Sequence, residues 1–129
     1  MSTGSTRWAI AEGYIPEAST GPEPEMTSHE TACILNAGDE DARVRITVYF
    51  DGRPPIGPYV VTVPAERTRH VRFNRIHEES ESEVVDPIPR GTDYASIIES
   101  DVPIVVQHTR LDSRQAELGL LTTMAHALD

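Results

Sequence analysis

The chain has 129 residues, enough for one hydrophobic core and too few for two ordinary ones, so one domain spanning 1–129 is expected. Its 21 acidic residues against 11 basic ones give a net charge of −10, which repels duplex DNA and argues against a general nucleic-acid binder. All the basic residues are arginines, suited to bidentate recognition of carboxylates or phosphates, and a single cysteine excludes an intrachain disulfide.

Residues 1–6 read as a flexible start without the apolar run of a signal peptide, and the first strand is placed at Trp8 to Glu12. Tyr14 to Thr27, with Pro16, Gly21, Pro22 and Pro24, reads as a long connection. His29 to Leu35 forms a second strand, with Cys33 at a buried position. The clearest signal is Ala42 to Phe50, where Ala42, Val44, Ile46, Val48 and Phe50 alternate with Arg43, Arg45, Thr47 and Tyr49. The turn residues Asn36 to Asp41 predict a hairpin between these two strands.

Asp51 to Pro55 and Gly57-Pro58 interrupt any helix, and Tyr59–Val63 and Arg67–Phe73 read as a second hairpin around Pro64-Ala65-Glu66. Within it Val71 and Phe73 share one face while Thr68, His70, Arg72 and Asn74 share the other. Residues 77–91, with four glutamates, two prolines and a glycine, read as a solvated acidic loop. Two strands follow, Tyr94–Glu99 and Ile104–Leu111, separated by Ser100 to Pro103. Leu118 to Leu128 fits either a helical stripe or a strand, and propensity alone leans towards helix. Seven or eight short strands with Gly/Pro-rich turns predict an antiparallel sandwich or small barrel. No segment reaches the roughly 18 apolar residues of a membrane helix, so the chain reads as cytoplasmic.

Signatures of catalysis are absent: the chain has no G-x-S-x-G elbow, no phosphate-cradling glycine loop and no H-x-H or H-E-x-x-H. His29, His70 and His108 could gather in the mouth of a sandwich, but their spacing does not announce a metal, and His29 and Glu30 point to opposite faces of a strand. No metal and no cofactor are expected. The row His108, Arg110, Asp112 would build a cleft for a polyol or carboxylate ligand if its strand lies beside that of Thr68, His70, Arg72 and Asn74. Trp8 is either a core plug or an aromatic wall to such a site.

Several long runs resemble the soluble sensory rhodopsin transducer family. They are Trp8-Ala9-Ile10-Ala11-Glu12-Gly13-Tyr14-Ile15-Pro16, Gly21-Pro22-Glu23-Pro24, Ser28-His29-Glu30-Thr31, Cys33 to Ala42, Gly57-Pro58-Tyr59, Val63-Pro64-Ala65, His70-Val71-Arg72-Phe73-Asn74, and Val102 to Glu117. The resemblance implies a jelly-roll β-sandwich of about eight strands assembled as a homotetramer, with a strand at the C-terminal segment. It also implies a non-enzymatic cytoplasmic signalling adaptor that docks a membrane rhodopsin or another sensor. The alternatives are a module binding a sugar or other small polar ligand, and a DNA-linked regulator, the latter disfavoured by the acidic Glu78 to Glu83 stretch. The expected binding residues are Trp8, His29, His70, Arg72, His108, Arg110, Asp112 and Arg114.

Overall fold

The computed structural model describes residues 3–20, 27–114 and 119–129. Parts of the Tyr14–Thr27 connection and of the C-terminal segment therefore lie outside the described residues. Eight strands run in chain order: β1 (Ser5–Tyr14), β2 (His29–Asn36), β3 (Ala42–Phe50), β4 (Ile56–Val63), β5 (Arg67–Arg72), β6 (Asp93–Asp112), β7 (Gly119–Met124) and β8 (His126–Ala127). All their pairings are antiparallel. The C-terminal segment is strand, as the family resemblance implies and helical propensity does not.

Two sheets share β6. Its first half lies between β1 and β3 in the order β4-β3-β6-β1-β8, and its second half lies between β2 and β7 in the order β5-β2-β6-β7. Where two strands separated by Ser100 to Pro103 are expected, one 20-residue strand passes from sheet to sheet. The register jumps there, from Arg7 opposite Glu99 to Ser5 opposite Ile104. Pro103 sits within that jump, where its missing N–H breaks no regular ladder.

Both expected hairpins are corrected. β2 pairs with β5 and β6, and β3 pairs with β4 and β6, so residues 37–41 carry the chain across from one sheet to the other. Residues 64–66 do the same between β4 and β5, and the true hairpin joins β3 to β4 around Asp51 to Pro55. Asn36 holds the two crossings together. Its buried amide donates to the carbonyls of Glu40 (2.8 Å), Val63 (3.0 Å) and Pro64 (3.3 Å) and accepts from the Gly38 N–H at 3.0 Å.

The alternation of each strand fills one core between the sheets. Val44, Ile46 and Val48 from β3, Tyr59, Val61 and Val63 from β4, Ile98 and Ile104 from β6 and Ala32 and Ile34 from β2 are all buried in it. The acidic stretch is loop from Ser80 to Arg90 with Glu78, Glu81 and Glu83 exposed, and it is anchored at its start. A one-turn helix, α1 (Ile76–Glu79), buries Ile76, and the residues after it lie along the outer edge of β4. There the Glu81 N–H donates to the Val60 carbonyl (2.7 Å), the Val60 N–H to Ser80 Oγ (3.0 Å) and Ser82 Oγ to the Pro58 carbonyl (2.8 Å).

Candidate recognition face

Strand parity divides the expected site residues between two faces of the β5-β2-β6-β7 sheet. His29, Thr31 and Cys33 of β2 alternate with Glu30, Ala32 and Ile34, and only the second set enters the core side. β6 is in register with it, so Ala32 faces His108 and Glu30 faces Arg110. The His108–Arg110 row therefore points inward and the His70–Arg72 row of β5 outward, with β2 between them. The single cleft expected from both rows does not form, and of the three histidines proposed for one mouth the sheet itself separates His108 from His29 and His70.

The inward row organises around Glu30, whose carboxylate is 1% exposed. His108 Nε2 lies 2.5 Å from Oε1, while Arg110 donates to Oε2 from Nη2 (3.0 Å) and Nε (3.3 Å). The Tyr14 N–H donates to the same oxygen, and Arg110 also binds exposed Glu12 at the rim. Burial opposes the Arg110 charge, but its bond to Glu12 and the charges of Glu30 and Glu12 prevail and raise its pKa. The Tyr94 hydroxyl is buried nearby with no partner at hydrogen-bonding distance among the described residues, and burial, reinforced by the Glu30 charge, pushes its pKa well above the usual phenol range.

A second layer secures this carboxylate from behind. The Glu30 N–H donates to Asn74 Oδ1 (3.2 Å), and Asn74 Nδ2 donates to the Ser28 carbonyl (3.0 Å). Asn74 was expected in the outward row with His70 and Arg72. β5 stops at Arg72, however, and a 3-10 turn over Phe73–Arg75 breaks the strand period and swings Asn74 towards Glu30.

The outward face carries a groove of about 310 Å³ lined by His29, Thr31, Cys33, His70, Arg72 and Thr109. Thr31 lies opposite Arg72 and also opposite Thr109, and Cys33 lies opposite His70, so three strands contribute side chains at neighbouring registers. Cys33, expected in the core, is half-exposed here, its Sγ 3.6 Å from Thr109 Oγ1. His29 Nδ1 is 2.8 Å from the Thr27 carbonyl. Burial lowers the His29 pKa below its ordinary 6.5; the Thr27 bond opposes this and the Arg72 charge adds to it.

The remaining expected residues stand apart from this groove. Trp8 is a core residue, 5% exposed, whose indole N–H donates to the Ser5 (2.9 Å) and Ile104 (3.2 Å) carbonyls. Asp112 accepts from Arg114 at 2.6–3.1 Å, which depresses its pKa, and the Arg114 guanidinium lies 5.8 Å from the Tyr14 ring centre. Sequence reasoning missed Glu30, Thr31, Cys33 and Thr109 as site residues. The parity that put His29 and Glu30 on opposite faces contained the signal for the first three, while Thr109 depends on the pairing of β2 with β6.

Among the described residues no three His, Cys, Asp or Glu side chains cluster as metal ligands, and no helix is long and apolar enough to cross a membrane. The family described as Anabaena sensory rhodopsin transducer matches residues 3–127. Among solved structures, the Anabaena sensory rhodopsin transducer is 63% identical, the match covering 90% of this chain and 96% of that one with a TM-score of 0.73. The structure of Thermotoga maritima 1070 is 32% identical, covering 97% of this chain and 96% of that one with a TM-score of 0.80. No curated protein matches the chain.

Proposed function

This chain belongs to the Anabaena sensory rhodopsin transducer family, and we propose that it is a non-enzymatic cytoplasmic signalling adaptor that docks a membrane photoreceptor or another sensor. The observation that carries the reading beyond family membership is the outward face of the β5-β2-β6-β7 sheet. His29, His70 and Arg72 are there turned away from the core around one groove, in contrast to His108 and Arg110, which bond Glu30 on the core side. Polar side chains held at fixed strand registers on one outward face are what a recognition surface requires.

The same reading assigns a homotetramer. All six residues of β7 are exposed in the single chain, with Leu120 73%, Leu121 59% and Met124 52% accessible, and burial against other subunits would remove that apolar surface from water. Sedimentation equilibrium should give four times the chain mass. The adaptor role is tested by capture of a detergent-solubilised sensory rhodopsin on the immobilised chain: saturable binding, weakened by His70→Ala together with Arg72→Gln, is expected. Binding indifferent to both substitutions would remove the groove face from the docking surface.

A small polar ligand in the groove belongs to the same proposal, and a sugar would raise the melting temperature because it binds only the native state. DNA is the least favoured partner, since a charge of −10 opposes phosphate neutralisation.

A further inference from the structure

We infer that the free edge of β5 takes up an extended acidic segment of a partner protein as an added strand. β5 is the outermost strand of the β5-β2-β6-β7 sheet and pairs only with β2. In an antiparallel ladder alternate residues aim their N–H and C=O groups away from the paired strand, so one row of β5 main-chain groups faces outward. Among the described residues no segment other than β2 makes a backbone bond to Arg67–Val71. Arg67, Thr68 and His70 are exposed along this stretch, which leaves room for a further strand.

Charge selects the occupant. Residues 67–77 hold four of the eleven arginines and no acidic residue, in a chain with 21 acids. Like charges opposite one another destabilise a strand pair, so the β5 edges of two copies repel each other and an acidic segment is the complement. Arg67 is exposed at the start of the edge. Its Nη1 donates to the neighbouring Glu66 carbonyl (3.0 Å), and no carboxylate among the described residues pairs with it. Arg69 is engaged by the Thr62 carbonyl (3.0 Å) and Glu79 (3.7 Å), and Arg72 has an interaction of its own, so the added strand relies on neither.

The chain already contains this mode of contact. On the other sheet the acidic residues after α1 lie along the β4 edge, where the Glu81 N–H donates to the Val60 carbonyl (2.7 Å). The Glu81 carboxylate there meets Arg43 (3.4 Å) and Thr62 Oγ1 (3.0 Å). That acidic run is engaged at β4, so the β5 edge is left to a segment from another protein. Ladder bonds supply the affinity, and a carboxylate opposite Arg67 fixes which residues pair.

The test titrates the full-length chain with an end-blocked hexapeptide of alternating glutamate and valine, followed by amide NMR. Saturable shifts confined to β5 and its neighbour β2 are expected, with slowed hydrogen exchange at alternate amides of Arg67–Val71. Two further peptides are N-methylated at every second residue, one in each phase. One phase should abolish binding and the other leave it, the signature of a strand bonded along one edge. Arg67→Glu, with its urea midpoint checked against the parent, should weaken binding about tenfold and bind a lysine-valine peptide better than the parent does. Equal binding of both N-methylated peptides, undiminished binding to Arg67→Glu, or shifts that map to β7 or the β4 edge overturn the inference. So does the absence of any saturable shift. Duplex DNA that produces the same β5 shifts as the peptide would reassign the edge to polyanions in general, and equally overturns it.

Discussion

Glu30 is the residue on which the inner side of the recognition sheet turns. A carboxylate 1% exposed is tolerated only because His108, Arg110 and the Tyr14 N–H satisfy it. Glu30→Gln strips the partner charge from Arg110 and should cost about 3–5 kcal/mol of stability in urea denaturation. A loss below about 1 kcal/mol would mean that Glu12 alone can hold Arg110. His29 gives a pH effect of known sign. Its folded pKa lies below 6.5, so the unfolded chain protonates first, and the stability this histidine contributes is present above pH 6.5 and lost as the pH falls towards the folded value. His29→Gln should therefore flatten the decline of stability between pH 6.5 and 5, as followed by urea midpoints at each pH.

Among the elements, β1 shows how one missing side chain fixes a neighbour. A Cβ on Gly13 would stand 2.5–2.8 Å from the Tyr94 ring, and that ring is buried against Phe73 at a centroid distance of 5.5 Å. Gly13→Ala should destabilise the chain by about 1–3 kcal/mol through overpacking, measurable as a lowered urea midpoint. The crossings between sheets depend on Asn36 in a comparable way. Its side chain satisfies three carbonyls and one N–H from two segments distant in sequence, so Asn36→Ala should cost about 3 kcal/mol, whereas Asn→Ala at an exposed turn costs little. Turn composition at 36–41 correctly predicts that the chain bends there. It is silent on whether the bend returns the strand to its own sheet or to the opposite one, because Asn, Gly and Asp satisfy both.

For the whole molecule, the acidic stretch is an edge guard. An uncovered β4 would present unpaired N–H and C=O groups to other chains, and Ser80, Glu81 and Ser82 occupy them while Glu81 also meets Arg43 and Thr62. Replacing residues 80–86 by a short Gly-Ser linker should leave a protein that aggregates at concentrations where the parent stays clear, as read by light scattering.

Strand parity and apolar alternation are local properties, and so the all-antiparallel class, most strand positions and the opposition of His29 to Glu30 were legible from the amino acids alone. The long family runs placed the C-terminal strand, where local periodicity was undecided. Which strands pair is a different kind of fact. It is settled by burying Val, Ile and Tyr side chains from distant segments in one volume, and no short window contains that energy. Only the tertiary structure, through that shared burial, threads β6 through both sheets and inserts β2 between β5 and β6. By doing so it separates one expected cleft into a buried carboxylate cluster and an outward groove.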